Sequence, residues 1–183
     1  MQYEVNMKAL CALVHLAGKD DIRRYLNGVC IEFRDTETVY VATDGHVLGS
    51  YTVAERNESP ATIIIPRGVV EHIKLHKTRH GAVLSIGDDG TARLVYAAQS
   101  VDVGFKPLDG VFPDWRRTVP SDVSNEPGHY DVELLGKFVK ANKVFGASAA
   151  AGRCLLRQNG ERGAALVALE DEAFQGIIMP FRV

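Results

Sequence analysis

Gly28-Val-Cys-Ile-Glu-Phe-Arg34, Val39-Tyr-Val-Ala-Thr43 and Val47-Leu-Gly-Ser-Tyr-Thr-Val53 follow one another closely, the last two separated by Asp44-Gly45-His46. In the first run Val29, Ile31 and Phe33 alternate with Cys30, Glu32 and Arg34, the period-two pattern of a strand with one buried face. Asp44-Gly45 suits a tight turn, so the second and third runs read as a hairpin. Upstream, Tyr3 to Val5 reads as a strand and Asn6 as a helix cap, whose side-chain oxygen can accept from the first free amides. Met7, Leu10, Val14 and Ala17 then recur at helical spacing until Gly18. The unit is a strand, a helix and three strands.

The same order recurs downstream. Thr62 to Pro66 reads as a strand, Pro66 suits a helix start, and Val69, Val70, Ile73 and His76 form a second apolar stripe. Strands at Val83 to Gly87, Ala92 to Ala97 and Ser100 to Lys106 follow. After a proline-punctuated connection from Pro107 to Pro127, Asp131 caps a third helix with Leu135, Phe138, Val139 and Asn142 on its packing face. Arg153 to Gln158, Ala165 to Glu170 and Phe174 to Phe181 read as its three strands. The chain is thus three copies of about 55 to 60 residues, a repeat architecture. It predicts an α+β fold with helices on one face of antiparallel sheets, in which the copies pack together because one alone is too small to bury its sheet face.

The 183 residues, 46% hydrophobic and 24% charged, sit in the ordinary range for a soluble globular protein with a real core. No basic start with a sustained apolar stretch opens the chain, so the expected location is cytoplasmic. Cys11, Cys30 and Cys154 are odd in number and widely spaced, which predicts buried free thiols.

Net charge is only −2, but its distribution is uneven. The three helical stretches carry Lys8, Lys19, Arg67, Lys74, Lys77, Arg79, Lys137, Lys140 and Lys143 against Glu71 and Glu133. A basic helix layer over an acidic sheet layer suits phosphates on one side. Solvated helix faces explain such lysines equally well taken alone. No pattern for reading base sequence accompanies them.

Three segments carry a more specific signal. They are Asp21-Ile-Arg-Arg-Tyr-Leu-Asn-Gly28 followed by Val41-Ala-Thr-Asp-Gly-His-Val-Leu48, then Asp109-Gly-Val-Phe-Pro-Asp-Trp-Arg-Arg-Thr-Val-Pro120, and the terminal Ile178-Met-Pro-Phe-Arg-Val183. In order and spacing they resemble the bacterial DNA polymerase III beta subunit, the sliding-clamp family. The resemblance implies the DNA-clamp fold, with residues 1–120 similar to the middle clamp domain and residues 121–183 to half a domain ending in the carboxyl-terminal tail. It implies no cofactor and no catalysis, and as partners double-stranded DNA, bound without sequence preference, and a polymerase, clamp loader or other protein bound through a short peptide. Carried over by position, the peptide pocket involves Leu26, Thr43, Gly45, His46, Leu48, Pro120, Ile178, Met179, Pro180, Phe181 and Arg182. The candidate DNA contacts are Arg23 and Arg24, in a loop resembling a DNA-contacting loop of the family, with Lys74, Lys77, Lys137, Lys140 and Lys143. Val47 departs from the family, which commonly has arginine there.

Rival readings are weaker. Asp44 and His46 lack a nucleophile motif or phosphate-binding loop that would make them an acid and base. His72, His76 and His80 at helical spacing could chelate zinc, but lack a carboxylate or cysteine partner and sit among cations. A clamp-like module that captures peptides without encircling DNA is the serious alternative. A shortened replication protein of either kind suits a phage or mobile element. Family rings contain twelve strand-helix units from two chains, whereas this chain offers three, so two chains cannot close such a homo-oligomeric ring, and four could if the third units of two chains pair, with dihedral symmetry.

Overall fold

The computed structural model describes residues 1–146 and 153–181. The first unit is β1 (Gln2–Asn6), α1 (Met7–Leu13), β2 (Gly28–Phe33), β3 (Glu37–Thr43) and β4 (Val47–Ala54). Asn6 caps α1 as expected, its Oδ1 accepting from the amides of Lys8 and Ala9 at 3.0 and 3.3 Å. The helix is shorter than its spacing predicts, and Val14 to Ala17 continue only as turns. Met7 and Ala9 through Leu13 are all buried, so α1 is a core helix rather than an amphipathic one. Arg67 Nη1 donates to the carbonyls of Val14 and Ala17 at 2.8 and 3.2 Å, satisfying groups the helix end leaves free.

The second unit is β5 (Ala61–Pro66), α2 (Arg67–Val70), β6 (Gly81–Ile86), β7 (Ala92–Tyr96) and β8 (Val101–Phe105). Here the helix expected to reach His76 stops at Val70. The segment after it finds tertiary partners for its backbone instead: the His76 amide donates to the buried Tyr96 hydroxyl at 2.9 Å, and that hydroxyl donates to the Arg79 carbonyl at 2.6 Å. His76 Nδ1 accepts from the amides of Thr78 and Arg79, a local competitor to helix. His72, His76 and His80 therefore share no helical face, and Lys74, Lys77 and Arg79 lie outside a helix. Lys19 does too.

The third unit is α3 (Val132–Phe145), β9 (Leu155–Arg157), β10 (Ala165–Ala168) and β11 (Phe174–Ile178). Asp131 caps α3, accepting from the Glu133 amide at 2.7 Å, and Gly146 ends it at φ +98°. Among the described residues no strand precedes α3, in contrast with the first two units.

Strand pairing joins the units in a way no local pattern announces. β1 leaves its own unit to pair antiparallel with β6, and β5 leaves its own to pair with β2. The sheets run β1-β6-β7-β8 and β5-β2-β3-β4-β11-β10-β9. The longer one continues from the first unit into the third through antiparallel β4 and β11, with Gly49 opposite Gly176 and Leu48 opposite Ile177. The absence of side chains at the two glycines matters, because a Cβ at Gly49 would lie 2.3 Å from Leu16 and one at Gly176 would lie 2.7 Å from Phe138. Helices α1 and α3 thereby settle on the sheet and against each other. One core lies on that helical side, including Leu10, Leu13, Tyr40, Phe138, Phe174 and Ile178. A smaller one, with Cys30, Val41, Leu48, Ile64, Trp115 and Ile177, lies under the connection that follows β8. Cys11 and Cys30 are buried, but Cys154 is exposed, against the expectation for it.

Candidate functional site

The Asp44-Gly45 turn is built by its own side chains. Asp44 Oδ1 accepts from the amides of His46 and Val47, each at 2.8 Å, and Gly45 takes φ +93°. Thr43 Oγ1 accepts from the Gly45 amide at 3.0 Å and donates to the Val47 carbonyl at 2.6 Å. The other Asp44 oxygen pairs with Lys137 of α3. Burial works against the Asp44 carboxylate, but the Lys137 ammonium and the two amides outweigh it and hold its pKa below the ordinary value. At the opposite end of the junction Lys8 of α1 reaches Asp171, before β11, at 3.3 Å, and Tyr51 donates to the same carboxylate oxygen at 3.2 Å. Each helix thus sends a lysine to an acid at a hairpin of the other unit.

Beside the turn is a cavity of about 320 Å³, with Leu48 and Ile177 among its lining residues. These two are register partners across β4 and β11, so the site straddles the join of the first and third units. Leu26, Thr43, Gly45, His46, Val47 and Met179 also line it, as do Pro113, Trp115 and Thr118 from the connection after β8. Met179 is held there because its amide donates to the His46 carbonyl at 2.8 Å, extending the β4–β11 ladder.

Trp115 is fastened to the sheet by Glu32 of β2. Its indole N–H donates to Oε1 at 3.0 Å, and the Arg116 guanidinium makes bonds of 3.1 and 2.9 Å to the two carboxylate oxygens. Burial raises the Glu32 pKa, yet the bonds from Arg116 and Trp115 bring it below the usual carboxylate range. Arg116 also lies 4.1 Å from the Trp115 ring centroid. The wall of the cavity is therefore anchored by a charge-assisted network.

Of the residues expected in the pocket, Leu26, Thr43, Gly45, His46, Leu48 and Met179 line this cavity. Ile178 does not: it is wholly buried in the helical-side core, and alternation along β11 brings Ile177 to the cavity instead. Pro120 and Pro180 are partly buried beyond its lining, and Phe181 leaves it, its amide bonded to the His129 carbonyl at 2.9 Å. Arg182 lies outside the described residues. The missed residues are Arg23, Val47, Pro113, Trp115, Thr118 and Ile177. Pro113, Trp115 and Thr118 sit inside the quoted Asp109–Pro120 segment, and strand parity would have found Ile177.

Arg23, expected to meet DNA, stands at the cavity. Its guanidinium is bonded to Asp21 at 2.8 and 3.0 Å and passes so close to the turn that a Cβ on Gly45 would lie 3.0 Å from it. Those bonds hold the Asp21 carboxyl down to about 2. The site thus has an arginine although Val47 occupies the position where one was missed.

Of the other expected DNA contacts, Lys77 and Lys143 line one groove of about 410 Å³ between α1, α3 and the segment after α2, together with Lys8, His15, His76 and His80. Burial, then the charges of Arg67 and Lys140, lower the His15 pKa, so Lys140 belongs to the same electrostatic surface. Arg24 and Lys74 are exposed. Lys137 is paired with Asp44.

Residues 4–114 match the family model described as DNA polymerase III beta subunit, central domain. The beta sliding clamp of Haemophilus influenzae is 32% identical over 143 residues, 76% of this chain and 38% of the relative. That of Vibrio cholerae is 32% identical over 145 residues, 78% of this chain and 39% of the relative. The chain therefore spans under two fifths of the length of these curated relatives. In fold it is similar over its full length to 67% of the Pseudomonas aeruginosa DNA polymerase III subunit beta, with a TM-score of 0.74 at 17% identity. It is likewise similar over its full length to 66% of the Helicobacter pylori beta clamp bound to DNA ligase peptide, with a TM-score of 0.71 at 16% identity. No helix among the described residues is long and apolar enough to cross a membrane. The match over residues 4–114 is broad enough to decide the matter: the chain belongs to the DNA polymerase III beta subunit family.

Proposed function

We propose that this protein is a non-catalytic, cytoplasmic accessory of DNA replication that tethers a polymerase or another clamp-binding protein to DNA. In this reading residues 1–120 act as a clamp domain and residues 121–183 as half of one. Short peptides enter the cavity beside Leu48 and Ile177, and duplex DNA lies along the groove of Lys77 and Lys143 with no preference for base sequence. Four chains close the ring.

The observation that carries the reading is the cavity at the β4–β11 join. It has an apolar floor, a fixed turn with orienting polar groups and one arginine, the features a peptide anchor needs. The DNA ligase peptide bound by the Helicobacter pylori clamp makes such a peptide the natural probe. Heteronuclear NMR titration should shift Leu26, Leu48, Ile177 and Met179, and Leu48→Glu should abolish binding while leaving DNA affinity unchanged. Shifts confined to other surfaces would overturn the assignment.

A second reading rests on the same cavity, a module that captures such peptides without encircling DNA. It predicts the same peptide shifts, with loss of polymerase processivity rather than gain on adding the protein.

A further inference from the structure

β8 occupies a position that the fold uses three times. It closes the second unit as β4 closes the first and β11 the third. β4 and β11 pair with each other, antiparallel, with glycine opposite glycine. β8 ends its sheet among the described residues. The effect on burial is direct. Ala92, Leu94 and Tyr96 of β7 are buried on the inner face, while their register partners Phe105, Val103 and Val101 on β8 remain partly exposed. A strand edge with apolar side chains and a row of backbone groups is a template for one more strand.

We infer that β8 pairs antiparallel with β8 of a second copy of this chain, about a two-fold axis at Gly104. A two-fold contact must be self-complementary, and Val101-Asp-Val-Gly-Phe-Lys-Pro107 satisfies this in one register. Gly104 meets Gly104 of the copy, repeating the glycine pair at the β4–β11 join. Val103 meets Phe105 on the inner face, covering the side chains left half-exposed. On the outer face Asp102 meets Lys106, and symmetry makes this pair twice. Centring the contact on Val103 instead sets Asp102 opposite Gly104 and removes both charge pairs, so cross-strand charge selects the register. Asp102 already accepts from Arg93 at 2.7 and 2.6 Å within its own chain, but a carboxylate has further lone-pair positions for Lys106. A row of Arg93, Asp102 and Lys106 then alternates in sign across the join. The pattern is palindromic in charge, which marks the occupant as another copy rather than an unrelated strand.

This contact shares no residue with the peptide cavity, so the two succeed or fail separately. Sedimentation velocity and native mass spectrometry on the full chain should show an association step that depends on concentration. Lys106→Asp sets acid against acid at both pairs and Asp102→Lys sets base against base. Each variant alone should weaken that step on the order of tenfold or more. An equimolar mixture of the two restores opposite charges at both pairs, so it should form mixed dimers with affinity near the unsubstituted level. Both side chains are exposed, and circular dichroism with peptide titration at the cavity confirms that each variant is folded. A wild-type chain that stays monomeric to millimolar concentration overturns the inference. So does an association step that both single variants leave intact, or a mixture that fails to restore it.

Discussion

β4 and β8 hold the same place in successive units, yet the edge of β4 is closed by β11 and that of β8 is open among the described residues. In β4, Val47 through Tyr51 are buried without alternation, since α1 and α3 cover one face, the smaller core adjoins the other, and β11 closes the edge. In β8, exposed Asp102 and Gly104 alternate with half-buried Val101, Val103 and Phe105. A strand buried on both faces reads as a continuous apolar or small run, and one with a solvated face alternates. The difference teaches that repetition of elements does not imply repetition of environment. What surrounds a strand is decided by which other unit docks on its edge.

The sharpest way to break the contrast is truncation of the side chain that fills the join. Phe138 is 1% exposed and stands edge-on to Phe174, with ring centroids 6.2 Å apart. Phe138→Ala should cost about 3–5 kcal/mol in urea unfolding, whereas Val103→Ala on β8, only half-covered, should cost about 1 kcal/mol or less. Equal losses would mean that the β4–β11 join is no better packed than the open edge.

The glycines give a smaller and opposite test. A methyl group at Gly49 would press on Leu16, Phe174 and Leu13, while one at Gly104 finds only the Ala92 carbonyl at 4.0 Å. Gly49→Ala should therefore destabilise by about 1–3 kcal/mol, and Gly104→Ala should be neutral or gain a few tenths from the unfolded chain, roughly as expected for glycine replacement. Thermal unfolding of the two variants side by side is sufficient.

Charge supplies the smallest effect. Asp44 is part-buried and its pKa is lowered on folding, so its contribution is present above the unfolded carboxylate value, about 3.9, and is lost as pH falls through the lower folded value. Asp44→Asn keeps an acceptor for the turn amides but loses the attraction to Lys137. It should cost about 1 kcal/mol at neutral pH and flatten the acid limb of the stability curve. Replacing Asp102, whose bond to Arg93 is fully exposed, should leave stability unchanged at concentrations too low for association.

Much of the candidate site was readable before the fold, because the Asp44-Gly45 turn, Leu26, Leu48 and Met179 stand in segments with the family's order and spacing. Arg23 was readable as a functional residue, but its place at the cavity was not, since a charge says nothing of direction until its loop is placed. Lys137 was likewise not readable as the partner of Asp44. Its three-residue spacing with Lys140 and Lys143 put it on a basic stripe, and only the docking of α3 beside the Asp44 turn turned it inward. Trp115 was quoted but not used. Its role depends on Glu32, 83 residues away in the chain.

The sequence by itself determined the order of strands and helices, the caps at Asn6 and Asp131, the hairpin at Asp44-Gly45 and the family. Those signals are local: they follow from side-chain period, from side-chain oxygens near free amides and from the φ that glycine allows. Tertiary structure decided that β1 and β5 change places, that α2 stops at Val70 because Tyr96 bonds the chain beyond it, and that no strand precedes α3 among the described residues. It also decided that Ile177 rather than Ile178 reaches the cavity. A one-residue shift in strand parity exchanges core for surface, and the parity of β11 is set by its pairing with β4, a contact more than 120 residues apart in the chain that no local pattern encodes.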